Sequence, residues 1–369
     1  MVWCRSILVA GAAVAATVTV AALPAEAAAP ARHAPPLTVT KTLSSAFALP
    51  LQFAVSGRKV YVADSGTSTL NLIGAAAPIA TGPSPASGGD VAGVDVDART
   101  GAVAYTTSTG DHSSTKLTVL QRGRTPVVAD LSKFERTRNP DGRTFYGTRN
   151  PTPCQVEALQ ALELEPSYHG LVDSHPYAVA SLGHGSWAVA DAGGNDIVKV
   201  DAHGRPSLLA VLPAQPFTVS AAFAKANGLP DCLVGLTYRF EPVPTDVEVG
   251  PHGDLYVTTL PGGGEAPGGN PGSVYRIDRH GHVQRVATGF AGATNLAIGP
   301  HGTVYVAELG SGTISQVLCN GRHQTVATLP GVVAVEWANG HLYASTAPAV
   351  TGAQAPGTVV QLGRAAPRS

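Results

Sequence analysis

The sequence predicts an all-β chain folded as a six-bladed β-propeller of four-stranded blades. Three observations carry that prediction. A strand–turn–strand module spans 244–259 and returns over 293–308, with its turns Gly250-Pro-His-Gly253 and Gly299-Pro-His-Gly302 lying 49 residues apart. Such a spacing is that of repeat arrays and propellers. The Tyr-Val-Ala-Glu anchor of this module has six copies, at Tyr61–Asp64, Ala104–Thr107, Ala188–Asp191, Tyr256–Thr259, Tyr305–Glu308 and Tyr343–Thr346. Finally, two strands on a tight turn cannot bury both faces alone, so each module needs neighbours of its own kind.

Residues 1–27 read as a secretory signal peptide. Arg5 supplies the basic start, Ile7 to Leu23 an apolar run, and Ala25-Glu-Ala27 a small-residue cleavage site. Cleavage removes one charge of each sign from 24 Lys and Arg and 25 Asp and Glu. The secreted, extracellular chain is therefore near neutral and has no basic block, which argues against nucleic acid as a partner. No later apolar run is long enough to span a bilayer. Residues 28–36, rich in Ala and Pro, form a flexible leader, and the propeller occupies 37–365.

Each anchor follows an inner strand of its own: Leu51–Gly57, Val91–Asp97, Pro176–Ala180, Thr245–Val249, Thr294–Ile298 and Val332–Trp337. Third and fourth strands are clearest at Val274–Asp278 with His282–Thr288. The pairs Ile197–Asp201 with Leu208–Val211, and Ile314–Leu318 with Thr325–Thr328, repeat them. Gly204, Gly281 and Gly321 stand where these hairpins need positive φ. After the last anchor only Thr358–Leu362 remains, so the final blade lacks a fourth strand. The alternating, β-branched Leu37–Leu43 is expected to supply it and close the ring, removing an exposed edge.

Two insertions, about 132–172 and 214–243, interrupt the repeat. Their residues 154–165 and 218–228 are rich in helix formers. Connections this long tend to be lids or binding elements. Lys133–Arg138, Tyr168-His169 and Tyr238–Glu241 give them charged and aromatic groups. Of the three cysteines left after cleavage, Cys154 and Cys232 lie in the irregular insertions and are predicted to form a disulfide. Cys319, where a strand runs into a turn, is left over.

The segment Val172 to Val317 resembles the secreted propellers named after ScyD and ScyE. The resemblance rests on Val172-Asp-Ser-His-Pro-Tyr177, Asp191-Ala-Gly-Gly-Asn-Asp196, Asn227-Gly-Leu-Pro-Asp-Cys232, Gly235 to Val249, Leu260 to Gly264 and Gly289 to Leu296. More distantly, the blades are similar to those of NHL-repeat and gluconolactonase-like propellers. The first resemblance implies a fold but no activity that transfers residue by residue. The second implies a divalent metal, calcium or zinc, at the channel mouth, with Asp246 and Asn295 as two of three oxygen ligands. The third is lacking, since the first inner strand offers Gln52. No other cofactor is implied.

The candidate binding site is a wall over the channel mouth, formed by His175 and Tyr177 with Tyr238, Arg239 and Glu241, above Asp246 and Asn295. Aromatic and charged groups on loops held by a rigid scaffold make a default binding site. Asp64, Asp191 and Glu308 end their strands at equivalent positions, so turn capping is expected of them. Asp173-Ser-His175 holds the residue types of a serine hydrolase, but neighbouring side chains diverge in an extended segment. Gly183-His-Gly-Ser-Trp187 reads as a hairpin turn, and no histidine has zinc-ligand spacing. The expected protein is a monomeric module that binds a small molecule or an extracellular protein. The alternative is a metal-dependent, lactonase-like hydrolase with its site at the mouth. A structural surface protein is a third class.

Overall fold

The computed structural model describes residues 35–262, 271–347, 352 and 355–364. The signal at 1–27, most of the leader at 28–36 and the end of the propeller at 365 lie outside them. The described chain is almost entirely β. Four sheets of four antiparallel strands follow one another. They comprise Gln52–Ser56 to Ala80–Thr81, Asp90–Val96 to Val127–Asp130, Pro176–Gly183 to Pro206–Val211, and Pro244–Val249 to Val283–Phe290. The remaining repeats form one eight-stranded sheet. Its halves, Ala293–Ile298 to His323–Thr328 and Val332–Ala338 to Gly357–Arg364 with Leu37–Phe47, meet in a parallel contact of Leu37 with Ala327.

Leu37–Phe47 pairs antiparallel with Gly357–Arg364, from Leu37 opposite Arg364 to Phe47 opposite Gly357. The first strand of the chain thus completes its last sheet, as its alternation predicts. The innermost strands of successive sheets pack on one another, and Gln52–Ser56 also meets Val332–Ala338, so the row returns on itself. Between neighbouring sheets, small residues face large ones. Ala178, Ala180, Ala188 and Ala190 of the third sheet pack with Val257, Tyr275 and Ile277 of the fourth, and interdigitation of this kind fills the core without voids. Gly253 and Gly302, both at φ 78°, let the two Pro-His-Gly turns reverse the chain within four residues.

The insertions differ from expectation. Each contributes two short strands to a further four-stranded sheet, ordered Ser167–His169, Phe145–Gly147, Thr237–Phe240, Gln215–Thr218. Strands of three or four residues are too short to show alternation in sequence. An unexpected helix, α1 (Leu131–Arg138), begins at Asp130, whose carboxylate accepts from Lys133 N. The expected helix over 154–165 is the shorter α2 (Pro153–Ala161), started by a reciprocal Thr152–Gln155 capping box. It ends early as Glu163 takes φ 58°. Likewise α3 covers only Ala221–Ala226, capped by Ser220. The predicted disulfide joins Cys154 and Cys232, with Cα atoms 6.4 Å apart, while Cys319 is free and exposed.

Candidate functional site

Strand direction brings several connections to one end of the ring. The innermost strands begin there, both insertions lie there, and so does the loop Thr109–Ser114 between the second and third strands of the second sheet. At this rim, His112 Nδ1 and Asp173 Oδ1 are 2.7 Å apart, and His175 Nε2 and Asp90 Oδ2 are 3.0 Å apart. The two imidazoles stack with centroids 4.7 Å apart, and Tyr177 meets His175 edge-on at 6.0 Å. The rings stay 31% and 27% exposed. Burial alone would lower the His175 pKa. The Asp90 hydrogen bond and the charges of Asp90, Asp191 and Asp173 outweigh it and hold the imidazole above its ordinary value. The Tyr177 phenol is raised by burial first, then by Asp90 and Asp246.

The side chains of 173–175 do diverge. Asp173 turns to His112, Ser174 Oγ donates to Asp191 Oδ2 and touches Thr115 Oγ1, and His175 turns to Asp90. No nucleophile–base line exists among them. Asp191 also accepts from His175 N and Gly194 N. Asp64 accepts from Ala48 N and Leu49 N, and Glu308 from Ala291 N. All three acids therefore cap turns through backbone N–H groups.

Asp246 and Asn295 lie deeper, on the ring's inner face. Asp246 Oδ2 accepts from Leu296 N at 2.8 Å, and Asn295 Oδ1 accepts from Val335 N at 2.7 Å. Each thereby fastens its own strand to the next. Asn295 Nδ2 donates to Gln52 Oε1, and Gln52 Nε2 donates to the Thr245 carbonyl. Burial, then Asp95, pushes Asp246 up to about 7, and Asp95 itself is pushed by burial to about 6. Burial also raises Glu248 and Glu336 well above the usual carboxylate range; the charges of Asp95 and Asp246 add to both, and that of Glu336 adds to Glu248. Among the described residues, no three His, Cys, Asp or Glu side chains are gathered closely enough to hold a metal ion.

Among the described residues, the insertion residues of the expected wall make no hydrogen bond or ring contact with the rim histidines. Tyr238 is buried, and its hydroxyl donates to the Glu165 carbonyl at 2.8 Å. Arg239 is half-buried, opposite Gly147 and Pro216. Glu241 accepts from Tyr168 OH at 3.1 Å. Tyr238 instead helps line an apolar cavity of about 410 Å³ inside the insertion layer, with Leu159, Phe217, Phe223, Leu233 and Phe240. The rim residues missed in the sequence are His112 and Asp90; Asp173 was weighed there only as part of a hydrolase set. For His112 the signal was a departure from the repeat: the second anchor alone is followed by Gly110-Asp-His112.

Under α1 lies a second acidic group. Burial, then the charges of Asp191, Asp141 and Asp173, pushes Glu135 up to about 8. Burial raises Asp141 to about 6, against hydrogen bonds from Asn195 and Tyr146. Asp196 is raised well above the carboxylate range by burial, then by Asp191, Glu135 and Asp141.

No family model matches the chain, and no curated protein matches it in sequence. Solved structures do. The PQQ-bound aldose sugar dehydrogenase of Streptomyces coelicolor has a TM-score of 0.54 at 13% identity, over 89% of this chain and 99% of that one. A putative oxidoreductase (glucose dehydrogenase) from Thermus thermophilus has a TM-score of 0.53 at 15% identity, over 89% of this chain and 100% of that one. A gluconolactonase from Xanthomonas campestris has a TM-score of 0.50 at 12% identity, over 92% and 98%. At such identities the likeness is one of fold, and the fold is that of a distant β-propeller.

Proposed function

We propose that the chain is a secreted six-bladed propeller of the ScyD/ScyE kind that acts as a binding module, with its recognition site at the mouth of the ring. Six blades follow if the eight-stranded sheet is taken as two blades touching edge to edge through Leu37 and Ala327. Secretion is supported by the Cys154–Cys232 bridge, which suits an oxidising compartment. Among the described residues no helix is long and apolar enough to cross a membrane.

The stacked His112–His175 pair carries the reading. Each ring is oriented by its own carboxylate, while His112 Nε2 and His175 Nδ1 have no protein hydrogen bond among the described residues. Two part-exposed imidazoles with a free nitrogen each, held on a rigid rim, suit a small polar ligand bearing hydroxyl or carbonyl groups. The test is to follow the His112 and His175 ring signals by NMR during titration with sugars, lactones and small carboxylic acids. A binder should move both rings, and His112→Ala or His175→Ala should lose it. If no compound moves them, and both variants melt far lower than the parent, the pair is a clasp.

The second reading, a lactonase-like hydrolase, draws on the likeness to the gluconolactonase fold. It is the weaker one, because Asn295 uses both ends of its amide within the ring. Hydrolysis of a lactone panel, lost in Asp246→Asn, would favour it.

A further inference from the structure

The apolar side chains of the two insertions do not close on one another. In the insertion sheet Phe217 stands opposite Tyr238. Opposite residues share a face, as do residues two apart such as Tyr238 and Phe240. That face, α2, α3 and the turn Asp231–Leu233 together line the cavity of about 410 Å³. Leu233 and Leu159 are 1% and 2% exposed, whereas Leu162 is 44% exposed and Phe217, Phe223 and Leu229 are half-buried. Large apolar groups left part-exposed around one concavity mark a ligand site.

Its walls are fastened to one another. The Cys154–Cys232 bridge ties α2 to the turn, and Gln155 Nε2 donates to the Cys232 carbonyl at 3.0 Å. The Tyr238 hydroxyl fixes the sheet to the Glu165 carbonyl at 2.8 Å. The volume lies within the roughly 300–1,000 Å³ of small-molecule pockets. Among the described residues that line it, none is charged, so a charged ligand would find no counter-charge. Asn227 donates Nδ2 to the Phe223 carbonyl at 2.9 Å, and its Oδ1 accepts from no described residue. Water settles in a cavity only with about two to four polar partners, and here one free oxygen is on offer. Aromatic rings dominate the rest. Phe217 and Phe223 meet edge-on with centroids 4.9 Å apart, and Tyr238 and Phe240 lie tilted at 4.6 Å. Such rings take a further ring by stacking or edge contact.

We propose that this cavity is a second binding site, for a small neutral aromatic molecule carrying one N–H or O–H donor. The rings and leucines cover its apolar body, and Asn227 Oδ1 accepts its donor. None of the rim residues lines the cavity, so the site stands whether or not the mouth of the ring binds a ligand.

The test uses the whole protein, titrated with N-phenyl-1-naphthylamine, a neutral aromatic amine that fluoresces when it leaves water. A saturable rise in emission, one probe per chain, is expected. Leu229→Trp and Leu164→Trp fill the space from two different segments, and each should weaken binding at least roughly tenfold by crowding it. 2-Naphthol should displace the probe roughly threefold to tenfold more tightly than naphthalene, because only 2-naphthol has a donor for Asn227. No saturable rise up to the probe's solubility limit would overturn the proposal. So would parent-like binding in either filled variant that retains a cooperative melt. Displacement by 2-naphthol no tighter than by naphthalene would overturn the role of Asn227.

Discussion

Asn295 donates through Nδ2 to Gln52 Oε1 over 2.8 Å, joining two innermost strands that are 243 residues apart in sequence. The same asparagine accepts from Val335 N, and Gln52 reaches on to the Thr245 carbonyl. Four innermost strands therefore share one buried amide network. Asn295→Ala would strand the Val335 N–H and the Gln52 oxygen in the interior. A loss of roughly 2–4 kcal/mol is expected, read from the urea unfolding midpoint. A loss under about 0.5 kcal/mol would show that the network does not hold the ring.

The channel acids predict a pH dependence. The folded-state pKa values of Asp246 and Asp95 are raised, to about 7 and about 6, and those of Glu248 and Glu336 move the same way. A carboxyl whose folded pKa is raised favours the native state when protonated. Its contribution is complete below the ordinary value near 3.8 and is lost as pH rises through about 7. Asp246→Asn keeps an acceptor for Leu296 N without the charge. It should match the parent only at about pH 3.5, below the ordinary carboxylate value, and exceed it increasingly as pH rises, by about 1–3 kcal/mol at pH 8. Equal melting curves at both pH values would contradict this.

The rim histidine gives a more local readout. His175 should titrate above the ordinary imidazole value, because Asp90 favours its charged form. In Asp90→Asn burial acts with less opposition, so the ring should titrate lower. NMR of the His175 ring protons in both proteins decides the matter, and an unchanged midpoint would remove Asp90 as the cause.

The Cys154–Cys232 bridge spans 78 residues and links α2 to the second insertion. Removing such a bridge typically costs about 2–5 kcal/mol, and here the loss should fall on the insertion layer. The double variant Cys154→Ser, Cys232→Ser should be cut by protease within 132–172 or 214–243 while the ring survives as a large fragment. Cutting scattered along the whole chain would mean that the bridge supports the ring as well.

Arg239 is half-buried and has no ion pair among the described residues. Arg239→Ala should therefore change stability by no more than about 0.5 kcal/mol. A large drop in melting temperature would reveal a clasp between the insertion sheet and the ring.

Much of the scaffold was legible because its signals are local. Alternation over five or six residues marks strands such as Thr245–Val249, and glycine in Gly250-Pro-His-Gly253 marks the turn that follows. Helix α1 was not legible, because Lys133-Phe-Glu-Arg reads as a charged loop and only the Asp130 cap betrays a start. The expected wall failed at Tyr238 for a related reason. In a strand as short as Thr237–Phe240, the face a side chain takes depends on its partners. Those partners, Gln215–Thr218 and Phe145–Gly147, come from different insertions.

From sequence alone came the repeat, the order of its strands, the N-terminal strand that completes the last sheet and the pairing of Cys154 with Cys232. Each of these rests on periodicity, turn chemistry or a choice among three thiols, and none needs a distance. Which side chains meet was decided only by the tertiary structure. His112 and His175 stack, Gln52 reaches Asn295, and Glu135 lies near Asp196 because the ring and its insertions bring remote segments together. Contacts of that kind depend on how whole sheets pack, which no local pattern in the chain encodes.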